Sequence, residues 1–410
     1  MDGQRFLTSL HLKNLLSYGP NSEKIDLQPL NVLIGPNASG KSNFIEAIEL
    51  LRATAGNIAG RIYEGGGMAE YSYKGSFTPA PATVICSAYH HESGINVLHK
   101  FTVAPSNQKI QIVDETIEPV DIASSREQPE FFYQYNQQNP VAYVPDIDRT
   151  QGSVAVSAQL DRIFSWKRQS LTGLQSDASV LAQRTDPDLY PELNFLAARY
   201  KAIKIYRNFV MEGPNSIRWP QRSDLPNDFL EESGRNLSLI VNNLAYQGAM
   251  DKVIEKMKTV YGDIEDITAK IEGGTVQTYI RERGMREPIP AGRLSDGTLR
   301  FLCLLVILYH PTPPPLICIE EPELGLHPDV IPTIAEMLIE ASSRTQLVVT
   351  THSDLLISKL GDIPEAVVVC ERTDQGSVLR RLEKDKLDVW LENYSLGDLW
   401  LRGEIGGTRW

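Results

Sequence analysis

Apolar positions along the chain follow two patterns. Toward both ends, short runs of apolar or β-branched residues, at 31–34, 316–319, 346–350 and 366–370, alternate with stretches of helical spacing. Such runs suit strands of a parallel sheet buried on both faces, where successive side chains meet apolar layers above and below. Just after the first run, Phe44, Ile45, Ile48 and Leu51 recur at helical intervals and predict a helix. The middle has another texture. Residues 118–140 lack periodicity and carry Pro, Ser, Gln and Asn, which predicts a loop. From about 155 to 262 the spacing is mostly helical, with Met250, Val253, Ile254, Met257 and Val260 on one face. Stretches 268–272 and 275–281, either side of Gly273-Gly274, predict a hairpin. The expected fold is α/β: a mainly parallel sheet core, interrupted by a largely helical insertion. The domains implied are an N-terminal lobe over 1–115, the insertion over 116–284 and a C-terminal lobe over 285–410. Neither internal repeats nor sustained heptads occur, so long coiled-coil arms are not expected.

Composition narrows the partners. A chain of 410 residues, 42% hydrophobic and 22% charged, supports two or three domain-sized cores. The longest apolar run, 301–309, has nine residues, against roughly 20 needed to span a bilayer. No membrane partner is expected. The N-terminus lacks the features of a secretory leader, so a cytoplasmic location is expected. A net charge of −12 argues against a surface built as a whole to hold nucleic acid and leaves DNA to a local basic patch. Cys86, Cys303, Cys318 and Cys370 are far apart and lie in or beside apolar runs, which predicts buried free thiols.

The chemistry lies in two places. Gly35, Pro36, Asn37, Ala38, Ser39, Gly40, Lys41 and Ser42 fit the phosphate-loop pattern GxxxxGK(S/T), between a predicted strand and a predicted helix that continues through Asn43. Glycines let backbone amides turn toward a phosphate, and the helix N-terminus adds a favourable dipole. Lys41 is then expected to reach the β- and γ-phosphates of a nucleotide, and the Ser42 hydroxyl to ligate Mg2+. The second place is the run 316–319, which ends in Glu320-Glu321-Pro322-Glu323. A doubly buried strand ending in carboxylates puts them at the carboxyl edge of the sheet, where ligands bind. Glu320 is expected to hold magnesium, and Glu321 to orient and polarise the attacking water.

Between these lies Arg293-Leu294-Ser295-Asp296-Gly297-Thr298, followed by a largely apolar helix over 299–309. Taken by itself, Ser-x-Gly at a helix start is an ordinary N-cap. The order of motifs resembles that of ABC-type ATPases, in which a signature of LSGGQ type opens a helix leading to the acidic strand. Leu294, Ser295 and Gly297 match that signature, whereas Asp296 and Thr298 depart from it. The run 346–350 ends in Thr351-His352-Ser353-Asp354, and the resemblance implies that His352 senses the γ-phosphate and supports the attacking water.

Among such ATPases the chain looks most like stand-alone predicted ATPases of the AAA family related to RecF, to structural-maintenance-of-chromosomes heads and to the ATPase half of OLD-type nucleases. Their acidic strand often continues as EEPE-x-x-LHP, similar to Glu320 through His327-Pro328 here. The likeness covers about 1–110 and 285–410 and implies a homodimer, with a higher oligomer left open. In it Ser295 and Gly297 of one subunit meet the γ-phosphate held by Lys41 of the other. It further implies hydrolysis of ATP linked to DNA repair or antiphage defence through a separately encoded nuclease or other effector. The alternative is a nucleotide-dependent scaffold with little turnover, suggested by Glu320, which stands where most such ATPases have Asp. A Q-loop glutamine is not placed.

Other candidates read more plainly. His90, His91, Glu92 and His99 suggest a metal cluster by type, but adjacent strand residues point to opposite faces, so a solvent-facing group is expected. Arg199, Lys201, Lys204 and Arg207, interleaved with Tyr200 and Tyr206, suggest a track for a phosphate backbone by type, but a solvated helix face is expected. The segment 390–410 carries three tryptophans and suits docking on the sheet or on a partner.

Overall fold

The computed structural model describes residues 5–75, 80–91, 94–106, 109–120, 129–136, 139–145 and 166–407. At its centre is a six-stranded sheet in the order Lys204–Tyr206, Leu316–Glu320, Gln346–Thr350, Leu30–Ile34, Val367–Thr373 and Gly376–Arg381. The first five strands are parallel, and the last turns back antiparallel. Side chains alternate between two cores, as the period of two in a strand requires. Val32, Ile34, Ile317, Ile319, Leu347, Val349, Val367 and Val369 face one core, while Leu33, Leu316, Cys318, Val348 and Val368 face the other. All are buried, which is why these runs carry no polar alternation.

Helices Leu237–Tyr246, Asp296–Leu308 and Ile331–Ala341 cover the first face. The helix Asp296–Leu308 is buried almost all round, from Leu299 to Leu308 except Arg300. Each such aliphatic side chain contributes roughly 1.5–3 kcal/mol through burial. Helices Lys41–Thr54 and Pro191–Lys201 and an eight-stranded antiparallel sheet cover the second face. That sheet runs in the order Ile25–Asp26, Leu7–Lys13, Ala82–His90, Ile95–Ser106, Lys109–Pro119, Tyr133–Asn136, Val141–Pro145 and Trp166–Ser170. The hairpin Ile264–Glu272 and Thr275–Glu282 closes through Gly273 and Gly274, whose φ values of 55° and 80° are those a two-residue hairpin turn demands.

Several sequence expectations need revision. The helices expected from 155 to 262 include Pro191–Lys201, Leu237–Tyr246 and Met250–Val260, but strands accompany them, and Lys204–Tyr206 joins the central sheet beside Leu316–Glu320. The stretch 118–140, read as loop, contains the strand Tyr133–Asn136 and the end of Lys109–Pro119, while 121–128 lie outside the described residues. His90 and His99 are buried, not solvent-facing. The His90 ring stacks on Phe195 at 3.7 Å, and His99 bonds Tyr200 and Glu115. Glu92 lies outside the described residues. The four cysteines are free and buried, as expected. Of the three C-terminal tryptophans, Trp400 packs into the first core, Trp390 is partly exposed and Trp410 lies outside the described residues.

Candidate nucleotide site

Gly35 begins where the strand Leu30–Ile34 ends, and the loop it opens crosses the neighbouring strand closely. A Cβ at Gly35 would lie 2.1 Å from the Cys370 carbonyl oxygen, and one at Gly40 would lie 2.3 Å from Ser377 Oγ. Both glycines have positive φ, 147° and 113°, so the tight passage and the backbone conformation each require glycine. The loop is fastened from outside: Tyr18 OH donates to the Gly40 carbonyl at 3.0 Å, and Ser377 Oγ donates to the Ser39 carbonyl at 2.6 Å. The helix Lys41–Thr54 starts at once and directs its amides back toward the loop.

Three parallel strands end level with one another. Thr350 pairs with Leu33 on one side and with Glu320 on the other, so the loop after Ile34, the acids and the histidine share one edge of the sheet. Glu321 leaves its strand in the left-handed region, φ 47°, with its amide donating to the Thr350 carbonyl at 2.9 Å. Such a backbone costs on the order of 1–3 kcal/mol and clusters at functional sites. His352 Nε2 lies 3.7 Å from Glu321 Oε1. Glu323 fixes the loop that carries His352, accepting from Thr351 Oγ1 at 2.7 Å and from the His352 amide at 2.8 Å.

Lys41 Nζ donates to the loop carbonyls of Gly35 and Pro36, at 2.7 and 3.0 Å. Burial pulls its pKa below the usual lysine value, partly offset by Cys370 and Glu321. Burial, followed by the charge of Lys41, likewise lowers the pKa of His352 against the opposing pull of Glu321 and Glu323. A cavity of about 900 Å³ opens beside the loop, lined among others by Ser17, Ser42, Asn43, Tyr73, Lys74, Glu320 and Arg372. A second, of about 630 Å³, lies over Gly35 to Ser39 and is walled by His352, Trp400 and Leu401. Ser295 and Gly297 line neither. Ser295 caps its helix, its Oγ accepting from the Thr298 amide at 3.1 Å, and Asp296 pairs with Arg218. A Cβ at Gly297 would sit 3.3 Å from the Gly325 carbonyl oxygen, so the helix start packs against the loop that follows the acids.

The residues present fit a magnesium nucleotide. Among the described residues Ser39 Oγ is buried without a hydrogen-bond partner. The Lys41 ammonium is held by carbonyl oxygens, and among the described residues no carboxylate pairs with it. Among the described residues no group of three His, Cys, Asp or Glu is placed to hold a metal alone. Ser42 and Glu320 line the same cavity, and magnesium takes a hydroxyl and one carboxylate from a protein with its other ligands from phosphate and water.

Reading the sequence did not find several site residues. Arg207 stands at the end of the strand Lys204–Tyr206 and pairs with Glu320, while Tyr200 and Tyr206 beside it are buried. Of the solvated helix face expected there, Arg199 and Lys201 do end a helix, with Lys201 exposed, whereas Lys204 and Tyr206 belong to a strand and Arg207 follows it. The available signal was Ile205-Tyr206, a short apolar run ending in a charge like the other strands of this sheet. Tyr73, Lys74 and Arg372 reach the cavity from segments that carry no motif.

A phosphate loop on one parallel strand, a histidine-bearing strand beside it and an acidic strand next in order define an ABC-type P-loop ATPase domain. The chain belongs to the AAA-domain family described as "AAA domain, putative AbiEii toxin, Type IV TA system", whose model matches residues 30–358. Solved structures share the fold. One is an Smc head bound to the C-winged helix domain of ScpA (13% identity, TM-score 0.58, covering 93% of this chain and 99% of that one). Another is an Smc head with an extended coiled coil bound to the C-terminal domain of ScpA from Pyrococcus furiosus (12%, 0.57, 94% and 98%). A third is an Smc head with a coiled coil and joint from Pyrococcus yayanosii (13%, 0.50, 94% and 99%). No curated protein matches the sequence. No helix among the described residues is long and apolar enough to cross a membrane.

Proposed function

We propose that this chain binds ATP with magnesium and hydrolyses it at a site completed by a second copy. The observation that carries the reading is the common level at which three parallel strands end, which gathers Lys41, Glu320, Glu321 and His352 on one edge. Backbone amides from Gly35 to Ser42, with Asn43 behind them, would cradle the phosphates, and Lys41 would leave its loop carbonyls for the β- and γ-oxygens. Ser42 and Glu320 would hold magnesium, which neutralises charge on the phosphate oxygens. Glu321 would orient and polarise the attacking water, and His352, kept neutral by burial and by Lys41, would hold that water and the γ-phosphate in line. Little covalent chemistry is asked of the protein; positioning and charge stabilisation suffice.

Ser295 and Gly297 line neither cavity beside their own loop, and this supports a homodimer in which they close the partner's site. We extend the reading to a DNA-linked task, repair or antiphage defence, exerted through a separate effector. It rests on the likeness to Smc heads, two of them bound to a domain of ScpA, and on the toxin named in the family description. The alternative, a scaffold that binds ATP and barely turns it over, is favoured by the engagement of Glu320 with Arg207. Steady-state ATPase measurement separates the two: turnover that Glu321→Gln removes supports the ATPase, and nucleotide binding without turnover supports the scaffold. Copurification of the Glu321→Gln chain with ATP from its native host tests the wider role, and recovery of neither DNA nor an effector would count against it.

A further inference from the structure

The Arg207 guanidinium is held by three carboxylates. Its Nε donates to Glu320 Oε1 at 2.7 Å, Nη1 to Glu49 Oε2 at 2.7 Å and Nη2 to Glu46 Oε2 at 2.9 Å. Glu46 and Glu49 lie on the helix that begins at Lys41, and Glu320 ends the acidic strand, so one side chain ties together the two elements that flank the phosphate site. Arg61 and Arg52 also pair with this helix, Arg61 with both glutamates and Arg52 with Glu49, but neither is paired with Glu320. Arg207 lines the larger cavity together with Ser42, Glu46 and Glu320. A planar fork of fixed donors holds such a set in a way that a single ammonium does not.

We infer that Arg207 is a positioning residue that competes with magnesium for Glu320. It holds the carboxylate while no metal nucleotide is bound and yields the Nε bond on loading, keeping its two bonds to Glu46 and Glu49. The inference rests on Glu320 being the metal carboxylate of the proposed ATPase. Two consequences follow from charge. Without Arg207, Glu320 loses its paired cation and Glu46 and Glu49 lose one of theirs, so the three carboxylates repel metal-free ATP more strongly. Glu320 is also free in advance for the metal, so the tightening of ATP binding by magnesium grows.

The test is the affinity of the full chain for ATP by calorimetry, in EDTA and in magnesium chloride. In Arg207→Gln the ratio of the two dissociation constants, metal-free over metal-loaded, rises about tenfold, the scale of one charge-assisted hydrogen bond. In a Glu320→Gln background the same substitution raises the ratio clearly less, because the shared carboxylate is gone and only Glu46 and Glu49 remain to repel metal-free ATP. Arg207→Lys, which keeps the charge but not the fork, gives a smaller rise and guards against a folding defect in the Gln variant. An unchanged ratio in Arg207→Gln, with ATP still bound, overturns the competition and leaves the nucleotide site standing. So does an equal rise in the Glu320→Gln background. A wild-type chain whose ATP affinity ignores magnesium removes the metal reading of Glu320 and the inference with it.

Discussion

His352 Nε2 faces Glu321 Oε1 across 3.7 Å, from the ends of two adjacent parallel strands. Both side chains are partly buried, and both are placed by backbone: Glu321 by its left-handed turn, His352 by the grip of Glu323 on the preceding loop. The pair stands beside Lys41, whose charge acts on both.

That proximity predicts a titration. Burial, then Lys41, hold the His352 pKa below 6.5, so the fold favours the neutral ring. The sign follows: the stability contributed by neutral His352 is present above pH 6.5 and is lost as the pH falls through the depressed value. In Lys41→Ala one lowering influence disappears, and the imidazole titrates at a higher pH, read from its NMR shifts. A value that stays or falls would show that Lys41 does not act on the ring.

Lys41→Ala also removes the main side-chain cation available to the β- and γ-phosphates. Isothermal titration should find ATP binding abolished or severely weakened, and unchanged affinity would sink the phosphate-loop assignment.

Glu321→Gln keeps the shape of the strand end but not the charge that polarises water. Turnover is expected to fall by about 10²-fold or more while ATP binding persists. If Glu320→Gln stops turnover and Glu321→Gln does not, the two glutamates have exchanged roles.

Dimer closure is tested at Ser295, an exposed helix cap. Ser295→Arg should leave ATP binding at Lys41 nearly intact and block the closed dimer, which sedimentation reads in the Glu321→Gln background. A mixture of Ser295→Arg and Lys41→Ala chains holds one composite site with both elements intact, so its ATPase rate should exceed that of either variant alone. A chain that stays monomeric with ATP and keeps full turnover leaves Ser295 as a cap only.

Away from the site, Glu115 is a buried hub that accepts from Ser179 Oγ, the Val180 amide and His99. Glu115→Leu strands these groups, and denaturant unfolding should show a loss on the order of 3 kcal/mol. An unchanged midpoint would mean that water replaces the carboxylate.

What could be read from the amino-acid order alone is what neighbouring residues decide among themselves. The phosphate loop is contiguous because a tight turn and the first turn of a helix are local structures, and Gly35 and Gly40 fall where the backbone requires them. The runs at 31–34, 316–319 and 346–350 declare their strands because both faces are buried, which leaves no alternation of polar positions to obscure them. Gly273-Gly274 likewise announces its own hairpin. Tertiary structure decided what lies far apart in sequence. Arg207 meets Glu320 across 113 positions, and Ser377 clasps Ser39 across 338. No periodicity marks such pairs, since each needs only one side chain of the right charge or polarity at the end of an element whose neighbour is chosen by sheet order. The burial of His90 and His99 was hidden for the same reason. A histidine on a strand reads as polar until the helix Pro191–Lys201 brings Phe195 and Tyr200 over it. Local chemistry is written in consecutive residues, whereas the partners that hold and regulate it are set by which strands become neighbours.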